Sequence, residues 1–212
     1  MHQIEEISEH IRQLFDARTA ARDGALAQTR LLTRHCANAI RAIHRDEQSL
    51  ANEHLAEAQA LVTILKTNLV EYPDLLFAGY TQDAFKEYAE ARLFFALAQD
   101  QDLPHPEELG LEPSTYMQGM AEASGELRRR CLDQLRQGSS AEAERLLSLM
   151  DDIFTVLVTM DYPDAVTGGL RRLTDIARSV TERTRGDLTI SLRQEHLEKE
   201  LHRLEDRLSK TG

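Results

Sequence analysis

Two glutamates lie in a stretch of sequence where charge is not expected. The segment FKEYAEARLFFALA, residues 85–98, is apolar around nearly the whole circumference of a helical wheel, which is typical of a buried helix. Glu87 and Glu90 are three residues apart in it, so both carboxylates project from one side. A buried carboxylate has to be paired with a cation, protonated or bound to a metal ion. The segment therefore predicts a metal site or, alternatively, ion pairs with Arg or Lys of neighbouring helices.

A second acidic pair, Glu122 and Glu126, is four residues apart on another predicted helix. Both point away from its apolar face, which by itself is typical of a solvated surface. Gly119 and Gly125 lie close to them and permit a backbone or a ligand to approach closely. Two helices that each present a carboxylate pair can bind Mg²⁺ or Mn²⁺ through oxygen ligands. Such a site can activate water for phosphodiester hydrolysis.

Other catalytic and metal sites have less support in the sequence. A di-iron site of the ferritin type needs Glu-x-x-His motifs, and none of the eight histidines has Glu three residues before it. The sequence has no P-loop, no GxSxG and no HExxH motif. Cys36 and Cys131 form no zinc-binding spacing and occupy apolar positions of helical patterns, so we expect two buried free thiols.

Positive charge is concentrated near the start of a chain whose formal net charge is -11. An acidic chain is unusual for a nucleic-acid-binding protein. Residues 11–45, however, contain seven arginines and two aspartates, a net charge of +5. Four of these arginines form one stripe along a helix: Arg30, Arg34, Arg41 and Arg45, with His44 at its edge. Guanidinium groups can hold two phosphate oxygens at once, so the stripe predicts RNA binding; a solvated basic face that pairs with acidic helices is the alternative.

The elements that must position these residues are predicted to be helices throughout. With 42% hydrophobic and 5% aromatic residues, 10 Gly and 5 Pro, the composition favours an all-α chain. Residues 100–113 form the one clear loop. We expect one domain, residues 1–212, built as a single bundle of about seven helices with long first and last helices. No apolar run is long enough to span a membrane and residues 1–9 are polar, which favours a cytoplasmic protein without a signal peptide.

Polar side chains next to the breaks between helices predict how the helices begin. Ser, Thr, Asp and Asn are the preferred N-cap residues because their oxygens accept hydrogen bonds from free backbone N–H groups. The predicted caps are Asp46 or Ser49, Ser114 or Thr115, and Ser139 or Ser140.

Four stretches in collinear order carry a family resemblance over nearly the whole chain. They are RDGALAQTRLLTRHCANAIRAIHR (22–45), FAGYTQDAFKEYAEA (77–91), LGLEPSTYMQGMAEASGELRRRCL (109–132) and MDYPDAVTGGLRRLTDIARSVTERTRGDLTISL (160–192). They resemble the translin family, and within it the branch of translin-associated factor X and its archaeal homologues. The resemblance implies an all-α bundle of about seven helices and assembly into a hollow octamer. It also implies metal-dependent ribonuclease activity on single-stranded RNA or DNA.

The resemblance also implies roles for the four glutamates. The first pair of catalytic acids in the factor X branch matches Glu87 and Glu90. The second pair lies in a motif like ADLTGEL, which reads AEASGEL here, so Glu122 stands where the family often has Asp and Glu126 matches. Translin itself has a basic residue in place of the second acid and binds nucleic acid without cleaving it. Glu90 therefore favours the catalytic branch.

From the sequence we thus expect a Mg²⁺- or Mn²⁺-dependent endoribonuclease acting on single-stranded RNA within a homo-oligomer. Glu87, Glu90, Glu122 and Glu126 would hold the metal. The alternative is a noncatalytic scaffold of the translin type that binds single-stranded nucleic acid. A third reading is a helical partner protein with no affinity for nucleic acid.

Overall fold

The computed structural model describes residues 2–209, and within that range the chain forms nine α-helices and no strand. The predicted all-α fold is confirmed. Six helices are long: α1 (His2–His44), α2 (Gln48–Asn68), α4 (Gly79–Ala98), α6 (Pro113–Arg136), α7 (Ser140–Thr159) and α9 (Leu170–Ser209). Three are single turns: α3 (Pro73–Leu76), α5 (Pro106–Leu109) and α8 (Asp164–Thr167). None of the described helices is long and apolar enough to cross a membrane.

Proline and glycine set most of the helix boundaries. Helices α3, α5 and α6 each begin at a proline, whose fixed φ and missing N–H suit the first helical position. The predicted loop 100–113 contains α5, whose C-cap is Gly110 with a φ of +67°. Gly168 and Gly169, with φ of +61° and +84°, separate α8 from α9. These left-handed conformations are ones that residues with a Cβ rarely adopt.

The predicted polar caps of α2 and α6 are wrong, whereas Ser139 takes the N-cap position of α7 as predicted. Asp46 takes a left-handed φ of +59°, and the N-cap of α2 is Glu47, whose side chain makes no capping hydrogen bond. Ser139 does precede α7 as its N-cap, but it makes no side-chain cap hydrogen bond either. Thr115 lies inside the first turn of α6, where its hydroxyl bonds to another helix. Backbone geometry and tertiary contacts therefore take precedence over local capping.

By the density of its contacts the chain divides into two compact units, one ending at Met120 and one beginning at Ala121. The division falls inside α6, which is one continuous helix. The expectation of a single domain over 1–212 stays a prediction, and residues 1 and 210–212 lie outside the described range.

In the first unit, α1 packs against both α2 and α4. Leu32 and Cys36 of α1, Leu65 of α2 and Phe94 of α4 are fully buried in its core. His35 of α1 also meets α2, where its Nδ1 lies 3.2 Å from that of a half-buried histidine, His54.

In the second unit, α7 and α8 pack against α9. Leu146 and Met150 of α7 are fully buried there. Arg128 of α6 donates a 3.0 Å hydrogen bond to the hydroxyl of Thr184 in α9 and forms a 2.9 Å ion pair with Asp187. Cys131 is buried and free, like Cys36, as predicted.

Candidate metal centre

Helix α4 carries the first acidic pair through the core of its unit. Eleven of its twenty residues are buried, among them Tyr88, Ala89 and Phe94 with no exposed surface. Glu87 and Glu90 are one turn apart in this helix, and neither side chain is exposed. The predicted burial of the helix around the two carboxylates is confirmed.

The negative charges of Glu87 and Glu90 act on the buried thiol of Cys36 in α1. Burial raises the pKa of Cys36 above its usual range, and the nearby carboxylates of Glu87 and Glu90 raise it further. Burial likewise raises the pKa of Tyr88 to about 12, although the charge of Arg92 acts in the opposite direction. Cys36 and Tyr88 are therefore protonated and neutral at physiological pH.

Helix α6 touches the backbone of α4 at Gly119. A Cβ built on Gly119 would lie 2.5 Å from Cβ of Ala89, 2.8 Å from the backbone nitrogen of Glu90 and 2.9 Å from the carbonyl oxygen of Lys86. Ordinary van der Waals contact begins near 3.4 Å, so this contact requires glycine. Around Gly125, in contrast, nothing would lie within 4 Å of such a Cβ. The predicted close approach therefore occurs at Gly119 and not at Gly125.

Glu122 follows Gly119 by one turn of the same helix. One carboxylate oxygen from each of Glu87, Glu90 and Glu122 lies within 4.8 Å of the other two. Between residues 2 and 209, this is the one group of three or more His, Cys, Asp or Glu side chains that converges in this way. The Glu122 side chain, one methylene longer than the Asp common in the family, thus reaches the pair on α4.

The donor set fits a hard divalent cation. Magnesium binds oxygen ligands at about 2.0–2.1 Å in octahedral geometry, which places neighbouring ligand atoms about 3 Å apart. Three like charges this close also repel one another, so a bound cation would relieve the repulsion. Thiolate and imidazole ligands, which softer metals select, are not part of the group.

Glu126 does not belong to this group of three. Its side chain is partly buried, and its Oε2 lies 3.8 Å from the Nη1 of Arg129, three residues further along α6. The metal-binding role that the sequence predicts for Glu126 stays a prediction.

Three of the four predicted stripe arginines lie on the surface of α1, and Arg45 lies in the turn that follows this helix. The exposed residues are Arg30, Arg34, Arg41 and Arg45. Arg41 donates a hydrogen bond to the side-chain oxygen of Asn38. His44 differs from the arginines because it is half-buried, with its ring 4.9 Å from that of Phe94. The RNA-binding role of all five residues stays a prediction.

Comparison with known proteins identifies a relative of this chain by sequence. No family model matches the chain. An uncharacterized protein of Methanocaldococcus jannaschii, MJ0175, is 32% identical over 192 residues, which cover 90% of this chain and 85% of that protein.

Solved structures match along most of the chain. The AfC3PO structure in complex with duplex RNA has 30% sequence identity and a TM-score of 0.77, over 89% of this chain and 96% of AfC3PO. AfC3PO in a second crystal structure matches with a TM-score of 0.78 at the same identity and coverage. Apo-NeC3PO, at 17% identity, matches 90% of this chain and 98% of its own with a TM-score of 0.78, which shows the shared fold alone. The chain therefore belongs to the translin family, together with the C3PO proteins that it resembles in sequence and in fold.

Proposed function

We propose that this protein is a Mg²⁺- or Mn²⁺-dependent endoribonuclease that hydrolyses phosphodiester bonds of RNA, with single-stranded RNA as its main substrate. The observation that carries the proposal is the convergence of Glu87 and Glu90 of α4 with Glu122 of α6, whose carboxylate oxygens lie within 4.8 Å of one another. The RNA complex of AfC3PO, a relative at 30% identity, supports RNA as the substrate class.

In this proposal Glu87, Glu90 and Glu122 hold the cation. A divalent ion at such a site supplies Lewis-acid activation and stabilises negative charge on the phosphoryl group. Glu126, one turn further along α6, is the candidate to accept a proton from the attacking water. The water oxygen forms a new bond to phosphorus, the bond to the leaving ribose oxygen breaks, and that oxygen takes a proton from solvent. One strand thus becomes two, with no oxidant or reductant required.

The stripe of Arg30, Arg34, Arg41 and Arg45 guides the phosphates of the strand, with His44 at its edge. Its exposure supports this role, because guanidinium groups that neutralise phosphates release the counterions condensed on the strand. Single-stranded DNA shares these phosphates and is a second ligand class for the same surface.

We further propose that copies of the chain assemble into an oligomer, the octamer of the family resemblance. Large apolar side chains in the first half of α1 support this proposal, since surfaces of this kind are usually covered by a partner. They are Ile4, Ile7, Ile11, Leu14 and Phe15, each between 41% and 70% exposed. Light scattering on the purified protein tests it: the monomer mass is 24.1 kDa, and a monomer in solution contradicts the proposal.

A cleavage assay tests the enzymatic proposal directly. Labelled single-stranded and duplex RNAs of the same sequence are incubated with the protein and Mg²⁺, Mn²⁺ or a chelator. We expect metal-dependent cleavage by the wild type and by Glu57→Gln, an exposed control on α2, and none by Glu90→Gln. Cleavage retained in pure Glu90→Gln contradicts the metal site. A wild type that binds both RNAs but cleaves neither with either metal is instead the noncatalytic scaffold.

A further inference from the structure

We infer that Gly119 is a positioning residue of the metal centre: its missing side chain sets how closely Glu122 of α6 approaches Glu87 and Glu90 of α4. The inference rests on the proposed function, because it concerns the same carboxylates. It adds a residue that bears no ligand atom and acts only through the spacing of two helices.

The contact at Gly119 is closer than side chains normally allow. Two of the three atoms that a Cβ would meet belong to the α4 backbone, the nitrogen of Glu90 and the carbonyl oxygen of Lys86. Backbone atoms inside a helix cannot rotate away as the end of a long side chain can. An alanine at position 119 would therefore push the helices apart locally, by about 1 Å if the 2.5 Å distance to Ala89 Cβ is to become an ordinary contact.

This displacement would act on the ligands directly. Glu90 is itself one of the contacted residues, and Glu122 is one turn from Gly119 on the same face of α6. Metal–ligand distances stay within about 0.2 Å of their usual values, so the Glu122 side chain would have to bridge the added separation in a less favourable rotamer. A separation of about 1 Å between the two helices would thus cost affinity for the cation even in a correctly folded protein.

The same helix provides a matched control. Gly125 follows Glu122 by three residues and has open space where a Cβ would be. Because alanine favours a helix over glycine, we expect Gly125→Ala to raise the melting temperature and leave cation binding unchanged. Gly119→Ala makes the identical chemical change at the close contact.

The nearest contact also offers a rescue. The double variant Gly119→Ala with Ala89→Gly moves one methyl group from α4 to α6 and removes the shortest of the three contacts. The contacts to the Glu90 nitrogen and the Lys86 oxygen remain, so we expect partial recovery of affinity.

The experiment is a Mn²⁺ titration of the full chain, followed by the electron paramagnetic resonance signal of free Mn²⁺, alongside thermal unfolding of every variant. We expect the dissociation constant to rise about tenfold to a hundredfold in Gly119→Ala, to recover in part in the double variant and to stay at the wild-type value in Gly125→Ala. If Gly119→Ala does not fold, the double variant takes its place in the comparison.

The outcomes separate the inference from the function that it deepens. Wild-type Mn²⁺ affinity in folded Gly119→Ala, or in the double variant in its place, overturns the positioning role and leaves the proposed metal centre intact. Equal losses in Gly119→Ala and Gly125→Ala overturn it as well, because the effect would then not come from the contact with α4. A wild type that binds no Mn²⁺ contradicts the proposed metal centre itself, and the positioning role with it.

Discussion

The hydroxyl of Thr115, in the first turn of α6, donates a 2.7 Å hydrogen bond to the side-chain oxygen of Gln82 in α4. The amide nitrogen of Gln82 in turn donates to the carbonyl oxygen of Leu76, at 3.0 Å. Thr115 is only 4% exposed, so water cannot readily replace this bond. It fixes the start of α6 on α4 one turn before the close contact at Gly119.

Thr115→Val is expected to lower the free energy of unfolding by about 1–1.5 kcal/mol, because it leaves the half-buried acceptor on Gln82 without its donor. The control is Thr155→Val, since the exposed hydroxyl of Thr155 bonds only to the Asp151 carbonyl of its own helix. We expect the control to stay within about 0.5 kcal/mol of the wild type in urea denaturation. Equal effects of the two variants would contradict the proposed anchoring.

Glu90→Gln is expected to abolish the stabilisation of the protein by Mn²⁺. A ligand present at a hundred times its dissociation constant stabilises the native state by about 2.7 kcal/mol, which corresponds to a rise of about 5–10 °C in melting temperature for a chain of this size. Differential scanning fluorimetry with and without Mn²⁺ measures this rise. Glu57→Gln, which removes an exposed carboxylate outside the group, should keep the full shift.

The same measurement distinguishes Glu126 from the three convergent glutamates. Because Glu126 lies outside the group and beside Arg129, Glu126→Gln should retain most of the Mn²⁺-dependent shift. A loss as complete as that of Glu90→Gln would show that Glu126 is a metal ligand and would contradict the separate role proposed for it.

Cys131 is expected to make the protein less stable at alkaline pH. Burial raises its pKa from 9.0 to about 11, with a smaller opposite effect from Arg128, and its thiol donates to the carbonyl oxygen of Ala143. Above pH 9 the unfolded chain loses this proton while the folded chain keeps it. The stability that Cys131 contributes is therefore fully present below pH 9 and is lost as the pH rises toward 11.

At pH 10.5 we expect this loss to amount to about 1–2 kcal/mol for Cys131 alone. Urea denaturation at pH 8 and pH 10.5 should therefore show a smaller decrease for Cys131→Ala than for the wild type. The other titrating groups are common to both proteins, so their effects cancel in the comparison. Parallel decreases would contradict a raised pKa for this thiol.

Removal of two arginines from the stripe is expected to weaken RNA binding and its dependence on salt. Each phosphate contact to a single strand contributes a slope of about 0.7 to the logarithmic salt dependence, so Arg30→Gln with Arg34→Gln should reduce the slope by about 1.4. Fluorescence anisotropy with a labelled single-stranded RNA, at salt concentrations from about 50 to about 200 mM, measures this slope. Arg178→Gln, an exposed arginine of α9 beside Glu182, is the control and should leave the slope unchanged. An unchanged slope in the double variant would show that Arg30 and Arg34 do not contact the RNA phosphates.

Much of the fold could be read from the sequence because helical periodicity and proline are local signals. The long first and last helices that the sequence predicts correspond to α1 and α9, with 43 and 40 residues. The single turn α5 inside the loop 100–113 was not predicted, since four residues carry too little periodicity to detect. The predicted cap of α6 is wrong because the hydroxyl of Thr115 bonds to another helix instead, while Ser139 is at the predicted start of α7.

The sequence by itself determined the candidate chemistry of this protein. It placed Glu87 and Glu90 on one side of an apolar helix, because helical spacing and burial follow from residue order. It could not determine which second-pair glutamate joins them, since that depends on the distance between two helices far apart in the chain. The tertiary structure selected Glu122 through the backbone contact at Gly119 and put the Cys36 thiol, from a third helix, within the electrostatic reach of the same carboxylates. Side-chain periodicity is a property of one helix, whereas a metal site needs oxygens from two helices at a distance that only their packing fixes.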